Sequence, residues 1–259
     1  MLKSLNLNTV CRGAKCPNIF ECYARKTATF MIMGNTCTRG CAFCAVGRGI
    51  PAPLDPDEPR RVAEAAKRLK LKFVVITSVT RDDLADGGAG HFIETIQTVR
   101  NATGAKIEVL TPDFKGDESA IRKVISARPN VFNHNIETVK RLYPAVRPAA
   151  EYERSLKLIE TVAREGGEII PKSGIMLGLG ETEDEIAETL RDMKSRGCEA
   201  LTIGQYLAPS EKHFPVAKYY TPDEFKIWEI RAREAGFQIV QSGPFVRSSY
   251  MAEQLAAGR

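Results

Sequence analysis

Much of the usual reactive chemistry is scarce in this chain. Among its 259 residues only three are histidine and one is tryptophan. No apolar run approaches the roughly 18 to 20 residues of a membrane span, so no bilayer-crossing helix is expected. The opening "MLKSLNLNTVCRG" lacks the apolar centre of a secretory signal. The chain is therefore expected in the cytoplasm, or in an organelle, where thiols stay reduced. No basic run exceeds a few residues, and the net charge is only +5, from 37 Lys and Arg against 32 Asp and Glu. Neither nucleic acid nor a membrane is expected as a partner. Internal repeats, low-complexity tracts and long Pro/Gly linkers are also missing, which leaves an ordinary globular composition.

The cysteines lie almost all in one place. Cys11, Cys16, Cys22, Cys37, Cys41 and Cys44 fall within residues 11–44, and the seventh, Cys198 in "KSRGCEALTIG", stands alone. Seven thiols cannot all pair, which argues for reduced cysteine. Cys198, between a helical pattern and an apolar run, is expected to be a small buried residue without a redox role.

From residue 28 onward, short apolar runs alternate with amphipathic segments. The spacing predicts helices over 57–71, 91–104, 117–128, 151–166, 182–197 and 221–236. It predicts strands over 28–34, 72–79, 105–112, 130–136, 168–178 and 199–207. Six strands alternating with helices is the pattern of a parallel sheet with crossover helices. Periodicity alone does not separate an open sheet from a partly or fully closed barrel. In both, reactive groups belong at the C-terminal ends of the strands. Polar residues do crowd there, in "TSVTRDD", "TPD", "NHNIE", "GLGE" and "GQYLAPS".

Cys37, Cys41 and Cys44 follow the first predicted strand in "GNTCTRGCAFC", where Gly34 and Gly40 let the backbone curl around something bulky. Three thiolates this close call for a soft metal centre. A closed zinc site needs a fourth ligand, and with His91 the nearest histidine that ligand would be distant or solvent. A 4Fe-4S cluster also takes four ligands but can leave one iron open to a small molecule. This C-x3-C-x2-C loop, with Phe43 before its last cysteine, resembles that of the radical S-adenosylmethionine superfamily. The resemblance implies an incomplete barrel whose cluster binds the amino and carboxylate groups of S-adenosylmethionine at its free iron. It also implies reductive cleavage of the sulfonium and a 5′-deoxyadenosyl radical that abstracts hydrogen from unactivated carbon.

Cys11, Cys16 and Cys22 form C-x4-C-x5-C in "CRGAKCPNIFEC". As spacing alone this is weak, because zinc knuckles and loops produce similar triplets. As a phrase it resembles the auxiliary-cluster motif of the lipoyl synthases. The likeness continues through "VVITSVTRDDLADGGAGHF", "FNHNIETV", "VRPAAEYERSL", "KSGIMLGLGET", "TIGQYLAPS" and "GPFVRSSY", covering nearly the whole chain. The family's terminal motif is present as Arg247, Ser248, Ser249 and Tyr250. The resemblance implies that Ser249 completes an auxiliary 4Fe-4S cluster held by Cys11, Cys16 and Cys22, and that this cluster is consumed as the sulfur donor. A hydroxyl is a harder, weaker partner for iron than a thiolate, so the serine-bound iron should be the easiest to release. Two departures stand out: Met251 occupies a position where relatives commonly carry histidine, and only ten residues precede Cys11.

Other polar residues at strand ends are candidate S-adenosylmethionine contacts, each weighed against a plainer role. They are Thr77 and Ser78, near Arg81 and Asp82; Asn133, Asn135 and Glu137, which alternate toward one face; Lys172 in an apolar strand; and Glu181 after "GLG". Caps, turns and solvated or paired charges are the plainer readings. His91 and His134 are expected to be hydrogen-bonded structural residues, since radical hydrogen abstraction needs no general base.

The expected architecture is α/β: a partial (β/α)6 TIM-type barrel over 28–236. An N-terminal auxiliary-cluster segment (1–27) precedes it, and a C-terminal return segment (237–259) carries "RSSY". The resemblance implies insertion of two sulfur atoms, at C6 and C8, into a protein-bound octanoyl-lysine. Cys37, Cys41 and Cys44 would hold the reducing cluster, and Arg247 would lie against the other. It also implies octanoylated lipoyl carrier domains, an electron donor such as flavodoxin or ferredoxin, and cluster-repair proteins as partners. The mild positive charge is compatible with an acidic carrier. Another radical sulfur-inserting enzyme would give no reason for "RSSY", and a two-cluster electron carrier would give none for a full barrel with polar strand ends.

Overall fold

The structure, a computed structural model of the chain, describes residues 5, 7–10, 18–250 and 252. They belong to two units, one of residues 1–39, 46–133 and 249–259, the other of residues 40–45 and 134–248.

In the first unit the sheet runs β1 (Asn8–Thr9), β2 (Thr27–Ile32), β5 (Phe73–Ser78), β6 (Lys106–Leu110) and β7 (Val131–Asn133), in that order. Only β1 is antiparallel. A separate two-stranded pair joins β3 (Thr36–Cys37) to β4 (Gly47–Arg48). This unit's helices include α1 (Ile19–Ala24), α2 (Glu58–Arg68), α3 (Ala89–Thr103) and α4 (Glu118–Ser126). Phe73, Val74, Val75 and Ile76 are all buried, which is why β5 reads as an unbroken apolar run and not an alternation. Helix α3 buries His91, Phe92, Thr95, Ile96 and Val99 at helical spacing. It stops at Gly104, whose φ of 65° suits glycine and whose N–H caps Arg100 O at 2.8 Å.

The second unit contains α5 (Tyr143–Val146), α6 (Tyr152–Glu165), β8 (Ile170–Leu177), α7 (Glu183–Ser195), β9 (Ala200–Gln205), α8 (Pro222–Glu234) and β10 (Ile239–Gly243). Its strands are parallel in the order β8-β9-β10. Leu156, Ile159, Ile186, Leu190, Ile203, Phe225 and Trp228 form part of one buried cluster.

The six expected strands and six expected long helices all form, with ends shifted by one to three residues. β2 stops at Ile32 because Met33 and Gly34 take φ of 65° and 89°. The strand expected to reach residue 136 ends at Asn133; Glu137 then makes an isolated parallel bridge to Ile175 with φ of 66°. β10 is a seventh parallel strand that the alternation did not include. It lies in "FQIVQSGPFV", pairing Ile239 with Ala200. Among the described residues no helix is long and apolar enough to cross a membrane.

Candidate active site

The loop that carries Cys37 is shaped by buried polar groups of the first unit. Glu58, on α2, accepts the Met33 backbone N–H at 2.7 Å, and the same oxygen lies 2.8 Å from His91 Nε2. That contact fixes the turn out of β2 and gives His91 the structural role expected of it. Beyond the turn, Thr38 donates to Thr80 O through both its backbone N–H (3.1 Å) and its hydroxyl (3.0 Å), and its hydroxyl accepts from Asp82 N–H at 3.1 Å. The Cys37 sulfur accepts two backbone hydrogen bonds, from Thr80 N–H at 3.3 Å and Arg39 N–H at 3.4 Å.

Arg39, inside the C-x3-C spacing, is buried. Its guanidinium donates to both oxygens of Asp82 (2.6 and 2.9 Å) and lies 2.6 Å from the buried Asp113. Burial alone would lower its pKa; hydrogen bonds and charge from the two aspartates outweigh that and hold it above the ordinary arginine value. The fork geometry is what arginine supplies and lysine does not. Arg81 turns instead to Asp83, at 2.8 to 3.1 Å. Sequence reasoning missed Arg39 and Asp113. The available signal was a lone cation in the middle of a motif loop, with "RDD" and "TPD" at the ends of the next two strands.

Cys41 and Cys44 belong to the second unit. Cys44 N–H caps Cys41 O at 3.1 Å, Ala42 N–H reaches Val146 O at 2.9 Å, and Ala42 O accepts from Phe214 N–H at 2.9 Å. Phe43 packs against the buried cluster of that unit. Its place before the last cysteine therefore has a packing reason. Cys37, Cys41 and Cys44 are half-buried and form no disulfide. Among the described residues no group of three or more His, Cys, Asp or Glu gathers around a single-ion position. A cubane needs no such gathering, because each thiolate binds a different iron of the cluster.

The polar strand ends divide into two sets. In the first unit, Thr77 donates to Leu110 O at 2.9 Å, and Asn133 donates to the buried Glu108 at 3.1 Å. Among the described residues, the buried Ser78 hydroxyl and the side-chain Oδ1 of Asn133 find no hydrogen-bond partner. In the second unit, Asn135 donates through Nδ2 to Glu137 at 3.0 Å and to the Ser248 hydroxyl at 2.6 Å. Burial pushes the Glu137 carboxyl up, with Arg147 and the Asn135 hydrogen bond opposing. Arg147, also missed in the sequence, is buried and donates to Asn135 O, Ile136 O and the Tyr143 hydroxyl. Lys172 donates to Ser248 O at 2.6 Å. Glu181 accepts the backbone N–H groups of Gly178 (2.6 Å) and Leu179 (2.8 Å), closing the turn before α7. His134 is buried against Ser155 Oγ at 3.1 Å, a structural contact as expected.

Of the first triplet, Cys11 and Cys16 lie outside the described residues. Cys22, on α1, is half-buried and forms no disulfide, and Ser249 is half-buried in a turn. The Tyr250 hydroxyl lies 3.1 and 3.3 Å from the two carboxylate oxygens of Glu21, the residue before Cys22. Tyr250 has a raised pKa: burial comes first, then its hydrogen bond to Glu21 and that carboxylate's charge. A Cys22 thiolate pushes the same way, and Arg25 opposes. Tyr250 of the "RSSY" motif and α1 therefore meet next to the third cysteine. Arg247 folds onto its own turn, donating to Val246 O at 2.7 Å and Pro244 O at 3.3 Å.

These features find direct parallels in known proteins. Residues 31–193 match the Radical SAM superfamily. Solved structures with the same fold include methylornithine synthase, with a TM-score of 0.60 at 15% identity, covering 83% of this chain and 70% of that one. Coproporphyrinogen III oxidase from Escherichia coli is another, with a TM-score of 0.56 at 13% identity, covering 85% and 56%. The fold class is thus the α/β partial barrel of radical S-adenosylmethionine enzymes. At the sequence level the chain is 59% identical to the lipoyl synthase of Caldanaerobacter subterraneus subsp. tengcongensis, over 97% of this chain and 89% of that protein. It is 56% identical to that of Rubrobacter xylanophilus (98% and 79%) and 53% identical to that of Caldicellulosiruptor saccharolyticus (98% and 90%). Within the superfamily, the chain belongs to the lipoyl synthase family.

Proposed function

We propose that this enzyme inserts two sulfur atoms, at C6 and C8, into an octanoyl group amide-linked to a lysine of a lipoyl carrier domain. The single observation that carries this reading beyond family membership is the contact of Tyr250 with Glu21. It ties the "RSSY" motif to the helix bearing Cys22, which supports a shared auxiliary site built from both ends of the sequence.

Residues 28–236 act as the barrel, with 1–27 and 237–259 completing the auxiliary site. Cys37, Cys41 and Cys44 hold the first 4Fe-4S cluster; Cys11, Cys16, Cys22 and Ser249 hold the second. The chemistry of the donors fits, since the described cysteines are unbridged and the Cys37 sulfur already receives two N–H donors. When bound, the clusters and S-adenosylmethionine supply the hydrogen-abstracting radical and the sulfur. The chain's own residues position these groups. Arg39, with Asp82 and Asp113, sets the loop of the first site. Ser78 and Asn133, each with a buried oxygen unpartnered among the described residues, and Glu137 offer polar contacts to the cofactor. Thr77 and Glu181, engaged with main chain, maintain the strand ends around it. A reduced compartment suits unbridged cysteines, so we place the enzyme in the cytoplasm. An electron-donor protein such as flavodoxin or ferredoxin, and proteins that rebuild the second cluster, complete its partners.

The test is to give anaerobically reconstituted protein an octanoylated lysine peptide, reductant and S-adenosylmethionine. The expected result is 5′-deoxyadenosine and a mass gain of two sulfurs on the peptide, from protein carrying about eight irons. Deoxyadenosine with no sulfur gain would overturn the substrate assignment. Zinc in place of iron would overturn the whole reading.

A further inference from the structure

Lys172 and Asn135 are polar residues buried in the second unit, and both end on Ser248. Lys172 lies within β8 with 1% of its surface exposed. An ammonium there is costly unless it is paired, and it donates to Ser248 O at 2.6 Å. Asn135, 6% exposed, donates to Ser248 Oγ at 2.6 Å. One contact holds the main chain of Ser248 and the other its side chain, so translation and rotation of that residue are both restrained. Two glycines keep the segment in place. A Cβ on Gly204 would stand 2.3 Å from Val246 O, pushing the segment away. A Cβ on Gly174 would stand 2.9 Å from Asn135 Oδ1, pushing the amide away.

We infer that Lys172 and Asn135 are positioning residues that clasp Ser248, so that Ser249, next in the chain, is presented to the auxiliary cluster in a fixed pose. This rests on the reading of Ser249 as a cluster ligand. It gives Lys172 and Asn135 a role other than direct contact with S-adenosylmethionine. A hydroxyl is a weak ligand for iron. Holding it in place before binding removes the ordering cost that a loose chain end would add. The clasp therefore sets how long the serine-bound iron is retained, while Ser249 itself makes it releasable.

The test measures iron loss to a ferrous chelator from reconstituted protein, beside deoxyadenosine formation and the cluster's electron paramagnetic resonance spectrum. Ser248→Ala, which removes the hydroxyl that Asn135 grips, is expected to lose auxiliary iron roughly tenfold faster, in keeping with the loss of one buried hydrogen bond. Deoxyadenosine formation should stay near that of the parent. Lys172→Met should accelerate iron loss further. In a Ser249→Ala background neither change should add anything, because the ligand they position is gone. A merely structural role would still destabilise that background. Unchanged iron loss in Ser248→Ala overturns the clasp. So does a Lys172→Met protein that loses deoxyadenosine formation but keeps its auxiliary iron, which would assign Lys172 to the cofactor's carboxylate. Failure of the underlying reading is distinguishable, since Ser249→Ala on its own would then lose auxiliary iron no faster than the parent.

Discussion

Arg39 shows how a single buried charge can organise a metal-binding loop. It lies between two prospective ligands in sequence, and its guanidinium is shared by Asp82 and the fully buried Asp113. Removing the cation would take the guanidinium away from the buried Asp113 and the part-buried Asp82. Arg39→Met is therefore expected to lower stability by about 3 kcal/mol or more, the scale for breaking a buried pair from one side. Arg39→Lys should recover only part, because the ammonium cannot bind both partners in the same plane. Urea unfolding under anaerobic conditions measures both, and a Met variant as stable as the parent would remove Arg39 from this role. Cys198 is the opposite kind of residue, a group kept silent by its surroundings. Burial pushes its thiol up to about 12, with Glu199 adding to the rise and Lys194 opposing. In the native protein at pH 8 it should resist alkylation by iodoacetamide and react only on unfolding, as read by mass spectrometry. The linkage has a definite sign. Burial of the neutral thiol stabilises fully below the ordinary thiol value of 9.0, and that contribution declines as pH rises toward about 12.

Among the elements, α7 is the clearest case of local sequence deciding structure next to the site. Glu181 closes the glycine turn through two backbone N–H groups. Thr182 then caps the helix, with Glu185 completing a reciprocal capping box. Thr182→Ala should cost about 1 kcal/mol, measured by thermal or urea unfolding. The same box has a pH signature. A fork from Arg141 and the Thr182 backbone N–H hold the Glu185 carboxyl at about 2, below its ordinary 4.5. Folding favours the ionised form, so this stabilisation is complete above about 4.5 and lost as pH falls toward about 2. Arg141→Met should flatten acid destabilisation across that window only modestly, since the pair is partly exposed and screened. An acid profile identical to the parent's would show that the fork contributes nothing.

For the molecule as a whole, the regular alternation was legible because parallel strands buried on both faces leave unbroken apolar runs such as "FVVI". Both cysteine triplets and "RSSY" were also legible, being contiguous phrases. What could not be read were contacts between positions far apart in sequence: Arg39 with Asp113, Lys172 with Ser248, and Tyr250 with Glu21, 229 residues away. Composition and periodicity carry no record of such partners. Lys172 and Asn135 were placed at the cofactor on sequence, as polar residues at strand ends, and their bonds to Ser248 become visible only when the chain is folded. The last of those contacts bears on the whole catalytic cycle. If the serine end is docked beside Cys22 so that its iron can be given up, a softer ligand at the same place should hold that iron too well. Ser249→Cys is expected to reconstitute with about eight irons and to form deoxyadenosine. Its sulfur insertion should nevertheless fall about tenfold or more, because a thiolate binds iron more firmly than a hydroxyl does. Iron analysis and peptide mass, taken from the same sample, separate retention of the cluster from its consumption. Full lipoyl product from Ser249→Cys would mean that release of the serine-bound iron does not limit the reaction.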